Sequence, residues 1–285
     1  MTKVLLGLVG AGIGRSAAPA LHEEEGRHHG LRVHYQLIDL DAAGVGVEAL
    51  PELLRAARVM GFAGLNITHP CKQLVIPLLD ALSDEARAIG AVNTVVRDGT
   101  RLVGHNTDGS GWSWGFRRAL PDADLARVAL LGAGGAGAAC ADAVLRMGAG
   151  RLAIFDREPA RAADLARRLN SHFEGSRAEA SPDPGSLLAG ASGLIHATPT
   201  GTAKAPGMAL PEELLRSAMW VAELVYVPLE TPLLLAARRI GCRSVDGGHM
   251  NVGQALGAFR LFTGRAADPA RMEAHFRRLV SQGPS

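Results

Sequence analysis

A chain of 285 residues exceeds the usual size of one compact domain, so two lobes, or one large one, are the starting expectation. With 47% hydrophobic and 20% charged residues it has ample material for a core and is too apolar for a disordered chain. The 30 Lys and Arg against 28 Asp and Glu leave a net charge of +2 with the basic residues dispersed, which argues against nucleic acid as the main partner.

Met1-Thr2-Lys3 leads into an apolar run, Val4 to Val9, that is too short and too soon followed by Gly, Arg and Pro for a signal peptide. No stretch of about 18 strongly apolar residues follows, so no membrane span is expected and a cytoplasmic location is. Leu5 to Val9 (strand), Ala18 to His29 (helix), Val33 to Ile38 (strand), Leu50 to Met60 (helix) and Gly64 to Ile67 (strand) set up an α/β rhythm. Leu74 to Leu82 and Ser83 to Ile89 read as two further helical pieces, the second capped by Ser83. Ala91 to Arg97 reads as a strand that turns at Asp98-Gly99 and returns through Arg101 to Gly104.

Beyond Asn106-Thr107-Asp108 a helix is expected from Gly111 to Leu120, bridging to a second lobe. The rhythm then resumes: strand Val128 to Leu131, helix Ala136 to Met147, strand Arg151 to Phe155, helix Pro159 to Leu169, strand Gly193 to Ala197. Ser181 to Gly185 reads as a turn. Trp220 to Val225 is strand-like, a helix follows Thr231-Pro232, and a short strand lies near Ser244-Val245. Two helices, Asn251 to Phe262 and Pro269 to Val280, close the chain, and the tail Gly283 to Ser285 is expected to fray. The 3 cysteines stand outside any CxxC pattern and the 10 histidines form no HExxH pair, so neither a disulfide framework nor a metal site is expected.

The most informative local pattern is Gly132-Ala133-Gly134-Gly135-Ala136-Gly137, a G-x-G-x-x-G loop between an apolar strand and a small-residue helix. The first glycine allows the tight turn, the second lets a pyrophosphate approach the backbone, and the third lets helix and strand pack closely. Free N–H groups and the helix dipole then receive the phosphate charge. Asp156 ends the next strand, where a carboxylate accepts both ribose hydroxyls of NAD and repels a 2′-phosphate. Its competing role is to cap the helix near Pro159. Arg157 keeps NADP open as the less favoured cofactor. The expected fold is thus α/β with a Rossmann-type dinucleotide-binding domain.

A dinucleotide fold names no reaction, so the chemistry must lie elsewhere. Gly64-Leu65-Asn66-Ile67-Thr68-His69-Pro70-Cys71-Lys72, Gly90-Ala91-Val92-Asn93-Thr94 and Gly104-His105-Asn106-Thr107-Asp108 put amides, hydroxyls, a lysine and a carboxylate at strand ends, groups suited to a polyhydroxylated ligand. With these stretches, and with GAGGAG, HATPTG, YVPLETPLL and GQALGAFRLFTG in the same order, the chain resembles the shikimate dehydrogenase family, most closely its NAD-dependent quinate/shikimate dehydrogenase branch. The resemblance implies a two-lobe enzyme that reversibly oxidises the C3 hydroxyl of a cyclic hydroxy-carboxylate. It implies a substrate domain over residues 1–106, completed by 249–285, and a NAD-binding domain over 107–248. Lys72 and Asp108 match the family's catalytic pair. Ser16, Asn66, Thr68, Asn93 and Gln254 match its substrate contacts, and Asp156, Arg161, Thr198, Pro199, Val225 and Met250 its cofactor contacts. As hydride leaves C3 a base must take the hydroxyl proton, and Lys72 with Asp108 reads as one proton-shuttling unit. A monomer or homodimer is compatible with all of this.

The chain departs from the family at Arg15-Ser16-Ala17-Ala18-Pro19, where two hydroxyl residues usually hold the substrate carboxylate. Only Ser16 remains, and the lost bond to a charged group is worth roughly 1.5–3 kcal/mol. Arg15 either replaces it with a bidentate grip or faces outward as a surface residue. His196 stands where an asparagine is commoner. Two alternatives therefore stay open: a dehydrogenase of the same fold for a shikimate analogue, and a non-catalytic dinucleotide sensor.

Overall fold

The computed structural model describes residues 1–281, so the expectation for the last three residues lies outside the described part. Tertiary contacts divide the chain into two compact units, Met1–Thr107 with the segment from Val252 onward, and Asp108–Asn251.

The first unit opens with β1 (Thr2–Gly10), α1 (Ala18–His28), β2 (Leu31–Asp39), α2 (Leu40–Ala43), α3 (Leu50–Met60) and β3 (Gly64–Ile67). It continues through α4 (Cys71–Leu74), β4 (Ala81–Leu82), α5 (Asp84–Ile89), β5 (Thr94–Asp98) and β6 (Arg101–His105). Its sheet runs β2-β1-β3-β5-β6-β4, with β1 parallel to β2 and β3, and β5 antiparallel to β3 and β6. Sequence explains the helices locally. In α3, Leu50, Leu54 and Ala57 recur on one face and are buried, and Gly61 ends the helix in the left-handed region at φ 81°. Ser83 caps α5 by accepting from the Ala86 N–H.

The helix expected over Leu74–Leu82 does not form. Helix α4 stops at Leu74, a single 3-10 turn covers Ile76–Leu78, and Ala81–Leu82 joins the sheet beside β6. Pro77 lacks the N–H that an α-helix would use, and Asp80 exchanges two bonds with Leu102, donating its N–H at 3.0 Å and accepting at 2.7 Å. The sheet edge thus outcompetes the apolar periodicity.

The second unit begins with α6 (Asp108–Ala119), three residues earlier than expected, so Asp108 is a first-turn residue rather than a cap outside the helix. It proceeds through β7 (Arg127–Leu131), α7 (Gly135–Arg146), β8 (Arg151–Phe155), α8 (Pro159–His172), β9 (Ala178–Ala180), α9 (Pro184–Leu188) and β10 (Gly193–His196). It then adds β11 (Trp220–Glu223), α10 (Pro232–Ile240) and β12 (Arg243–Val245), and α11 (Gly247–Thr263) starts in this unit and ends in the first. Finally α12 (Pro269–Ser281) belongs to the first unit. Strand β9 and helix α9 were not expected; Pro184 marks not only a turn but a helix start, with Asp183 accepting from the Ser186 N–H.

All six strands of the second unit are parallel in the order β12-β11-β10-β7-β8-β9. This is the doubly wound order of a dinucleotide-binding fold, reversing direction between β7 and β10. No helix among the described residues is long and apolar enough to cross a membrane, and no group of three or more His, Cys, Asp or Glu side chains gathers as a metal cage.

One core residue of the first unit makes stability depend on pH. His22 on α1 is 1% exposed, stacks on Tyr35 at a centroid distance of 5.0 Å, and has no hydrogen-bond partner on either ring nitrogen among the described residues. Burial pushes its pKa down from 6.5 to about 4, with the Glu25 charge opposing more weakly. The unfolded chain binds this proton below about pH 6.5 and the folded chain does not until about pH 4. Stability attributable to His22 is thus intact above pH 6.5 and lost progressively down to pH 4, by about 3 kcal/mol. Urea unfolding across this range is expected to show a steeper loss of stability in wild type than in His22→Phe, which keeps the slope of the half-buried histidines, His105 and His275.

Candidate active site

In the first unit the topology gathers the polar residues at one edge of the sheet. Parallel β1 and β3 end there, antiparallel β5 begins there, and β6 returns there, because Asn66 pairs with Thr94 and Thr94 with His105. After β1, the Asp39 carboxylate accepts from the N–H groups of Gly12 and Ile13, both at 2.8 Å, and fixes the loop that carries Arg15 and Ser16. Burial works to raise the pKa of Asp39, but these backbone bonds prevail and hold it below the usual carboxylate range. A Cβ on Gly10 would lie 2.3 Å from the Thr68 methyl, so the absence of a side chain lets Thr68 pack directly against this loop.

Ser16 Oγ accepts from the Ala18 N–H at 3.2 Å, which leaves its own proton to donate. Arg15 is exposed and makes no hydrogen bond or ion pair among the described residues. Beyond β3, Lys72 sits in α4 and its carbonyl accepts from the Val92 N–H at 2.8 Å, tying it to the segment that carries Asn93. Its neighbour Cys71 is fully buried, and burial pushes the thiol pKa up, so it is no rival nucleophile.

The amides form a buried network. Asn66 accepts from the Tyr35 hydroxyl at 2.7 Å and donates to Asn93 O at 3.2 Å and Thr94 Oγ1 at 3.1 Å. Asn93 donates to Thr107 Oγ1 at 2.9 Å and accepts from the Thr107 N–H at 2.8 Å. Both donor hydrogens of Asn66 are thereby used within the protein, so this residue holds Asn93 and Thr94 in place. Gln254 is carried on α11, whose Gly257 lies so close to Thr107 that a Cβ there would be 3.0 Å from the Thr107 methyl. Thr68, Asn93, Thr107 and the helix of Gln254 are thus brought to one edge of the unit. Asp108 follows Thr107 in the chain as the first residue of α6, where a carboxylate suits the positive end of the helix dipole. Tyr35, which holds Asn66 through its hydroxyl, escaped the sequence reading.

In the second unit the glycine loop stands at the reversal between β7 and β10. Gly132 has φ 103°, a conformation that side chains rarely adopt, and a Cβ on Gly137 would lie 2.0 Å from Gly132 O. Gly134 faces open space, with nothing within 4 Å of a built Cβ, and starts α7 with no side-chain cap. The N–H groups of Gly135, Ala136 and Gly137 form the first turn and have no acceptor within the helix. This is a cradle of the shape and polarity that a pyrophosphate requires.

Asp156 at the end of β8 accepts from the Ala133 N–H at 2.8 Å and from the Glu158 N–H at 2.9 Å. It is tied to the glycine loop and does not act as the N-cap of α8, which is Glu158. A carboxylate has about four acceptor sites, so two remain for a ribose. Arg161 is paired with Glu158 at 2.9 Å, and Arg157 is exposed. Thr198 and the exposed Pro199 follow β10, with the Thr198 methyl 3.0 Å from a Cβ built on Gly132. Val225 follows β11 and is buried, and Met250 is half-buried on α11.

Residues 8–95 match the family model described as the shikimate dehydrogenase substrate binding domain. A shikimate dehydrogenase (NADP(+)) of Streptomyces avermitilis is 59% identical over 97% of this chain and 96% of its own. A quinate/shikimate dehydrogenase (NAD(+)) of Corynebacterium efficiens is 46% identical over 96% of this chain and 97% of its own. The structure of quinate dehydrogenase from Corynebacterium glutamicum in complex with NAD superimposes with a TM-score of 0.90 at 43% identity, covering 98% of this chain and 100% of that one.

Proposed function

Because the chain belongs to the shikimate dehydrogenase family, we propose that it reversibly oxidises the C3 hydroxyl of shikimate or quinate, with NAD preferred over NADP. Residues 1–106 with 249–285 serve as the substrate domain and 107–248 as the NAD-binding domain. The observation that carries the cofactor reading is the Asp156 carboxylate, held 2.8 Å from the Ala133 N–H of the glycine loop. A carboxylate anchored there occupies the position that a 2′-phosphate would need. The nearby Arg161 is already paired with Glu158, which weakens the case for a phosphate clamp. The kcat/KM for NAD is expected to exceed that for NADP by at least about tenfold, or about 1.4 kcal/mol.

The chemistry that the dinucleotide supplies when bound is hydride acceptance at its nicotinamide ring. The remaining work falls to this chain. First-turn N–H groups of α7 receive the pyrophosphate, while Thr68 and Asn93 hold the ring hydroxyls and Ser16 donates to the carboxylate. Asn66 is a positioning residue for Asn93. Lys72 takes the proton from the C3 hydroxyl as the carbonyl forms, and Asp108 shares that proton and returns it in the reverse direction.

Ala18 offers only a backbone N–H, and Ser16 Oγ already accepts it, so the carboxylate grip has one hydroxyl where the family usually has two. Arg15 on the same loop compensates. Arg15→Ala is expected to raise KM for a carboxylate substrate about tenfold with little change in kcat; an unchanged KM would place Arg15 outside the site. The same departure supports a second reading, a preference for a shikimate analogue with altered polarity near its carboxylate.

A further inference from the structure

At the carboxyl ends of β10 and β11, His196 and Glu223 are register partners on neighbouring parallel strands, and both side chains are fully buried. His196 Nδ1 lies 2.8 Å from Glu223 Oε1 and 2.9 Å from Oε2. The same carboxylate accepts from the N–H groups of Leu224 at 2.8 Å and Val225 at 3.0 Å, and from the Thr231 hydroxyl at 2.7 Å. With these donors turned toward it, the carboxylate acts as acceptor and Nδ1 carries the proton. In that tautomer Nε2 accepts the hydroxyl proton of Thr198, whose Oγ1 is 2.5 Å away. Thr198 Oγ1 also accepts from the Thr200 N–H at 3.3 Å.

The network therefore ties together the loop after β10, the loop after β11 and the N-cap of α10. The loop after β11 is held from its other side as well, since a Cβ on Gly247 would lie 2.4 Å from Val225 O and 2.5 Å from Leu224 O. A doubly wound fold consists of two mononucleotide-binding halves. Here β7 to β9 carry the glycine loop and Asp156, and β10 to β12 carry the loops that His196 and Glu223 fix. A buried ionisable pair of this kind is poor value as a source of stability alone, because desolvation offsets its attraction.

We propose that His196 and Glu223 are positioning residues for the nicotinamide half of the dinucleotide. They turn the Thr198 proton inward, so that Thr198 offers an oxygen lone pair to a donor on the nicotinamide nucleoside, and they hold the Val225 backbone at a fixed height beside it. The inference rests on the nucleotide reading above and deepens it. It concerns one half of the ligand only, which makes it separable from a general loss of folding.

The test measures dissociation constants of NADH by fluorescence and of ADP by calorimetry for wild type, His196→Ala, His196→Asn and Thr198→Val. Wild type that binds neither nucleotide would overturn the nucleotide reading itself. Given wild-type binding, His196→Ala is expected to weaken NADH by about tenfold and to leave ADP within about twofold. Thr198→Val, which leaves the buried pair intact, is expected to weaken NADH selectively by about threefold to tenfold. His196→Asn, which keeps an N–H for Glu223, is expected to recover part of the loss. Should His196→Ala fail to fold, Thr198→Val decides the matter. Unchanged NADH affinity in the variants, or an equal loss of ADP affinity, would overturn the inference.

Discussion

Lys72→Ala is expected to lower kcat by about 10²- to 10⁴-fold, the usual contribution of a positioned general base, while leaving the NADH dissociation constant near wild type. The split follows from where the residue stands. Lys72 lies in α4 of the first unit, whereas the pyrophosphate cradle is built from the first turn of α7 in the second. Its carbonyl holds the Val92 N–H through the backbone, a bond that alanine keeps, so Asn93 and its network should be undisturbed. Loss of turnover therefore reports loss of the amine. Steady-state kinetics in both directions, with NADH binding by fluorescence, makes the check. Near wild-type turnover with an unchanged pH profile would remove Lys72 from the proton-transfer role.

Gly137→Ala is expected to abolish useful cofactor binding, raising the NADH dissociation constant on the order of 100-fold. A methyl at this position would stand 2.0 Å from Gly132 O, a distance no real carbon adopts, and the obstacle is backbone that cannot rotate aside. Helix α7 must lift away from the loop, and the first-turn N–H groups lose their aim. Overpacking of this kind costs about 1–3 kcal/mol of stability as well. Gly134→Ala is the informative control. Nothing lies within 4 Å of its Cβ and its φ of −73° suits an ordinary residue, so the melting temperature should not move. The methyl enters only the space needed by the pyrophosphate, so binding should still fall by about tenfold or more. Equal losses of stability in both variants would contradict this account of the two glycines.

The second unit was largely legible in the sequence because its cues are local. Strand β8 was expected at Arg151 to Phe155 and is found there, and Gly132, Gly134 and Gly137 sit at strand end, helix cap and helix interior as their spacing requires. The first unit was legible where periodicity was strong, as for α3 and β3, and misread where non-local pairing ruled. Nothing local in Ala81–Leu82 announces that Asp80 will bond to Leu102, and it is this bond that converts an apolar helical pattern into a sheet edge.

The site divides in the same way. Lys72, Asp108 and Asn93 are proposed from ordered motifs, each of which is a short continuous stretch. Tyr35 was missed because its hydroxyl meets Asn66 only after β1 has been laid between β2 and β3. Glu223 was missed because its partner His196 is 27 positions away, and only the parallel register of β10 and β11 sets them side by side. Asp156 was expected at the ribose position, but its bond to Ala133 needed coordinates, since a loop N–H carries no side-chain signature.

The central claim is that this chain oxidises the C3 hydroxyl of a cyclic hydroxy-carboxylate and favours NAD. A turnover panel tests it most directly: shikimate, quinate and 3-dehydroshikimate, each with the NAD and NADP couples. Turnover of shikimate or quinate, with kcat/KM for NAD at least about tenfold above NADP, is the predicted result. Tight nucleotide binding with no turnover of any pair would contradict it, and a clear preference for NADP would overturn the role given to Asp156.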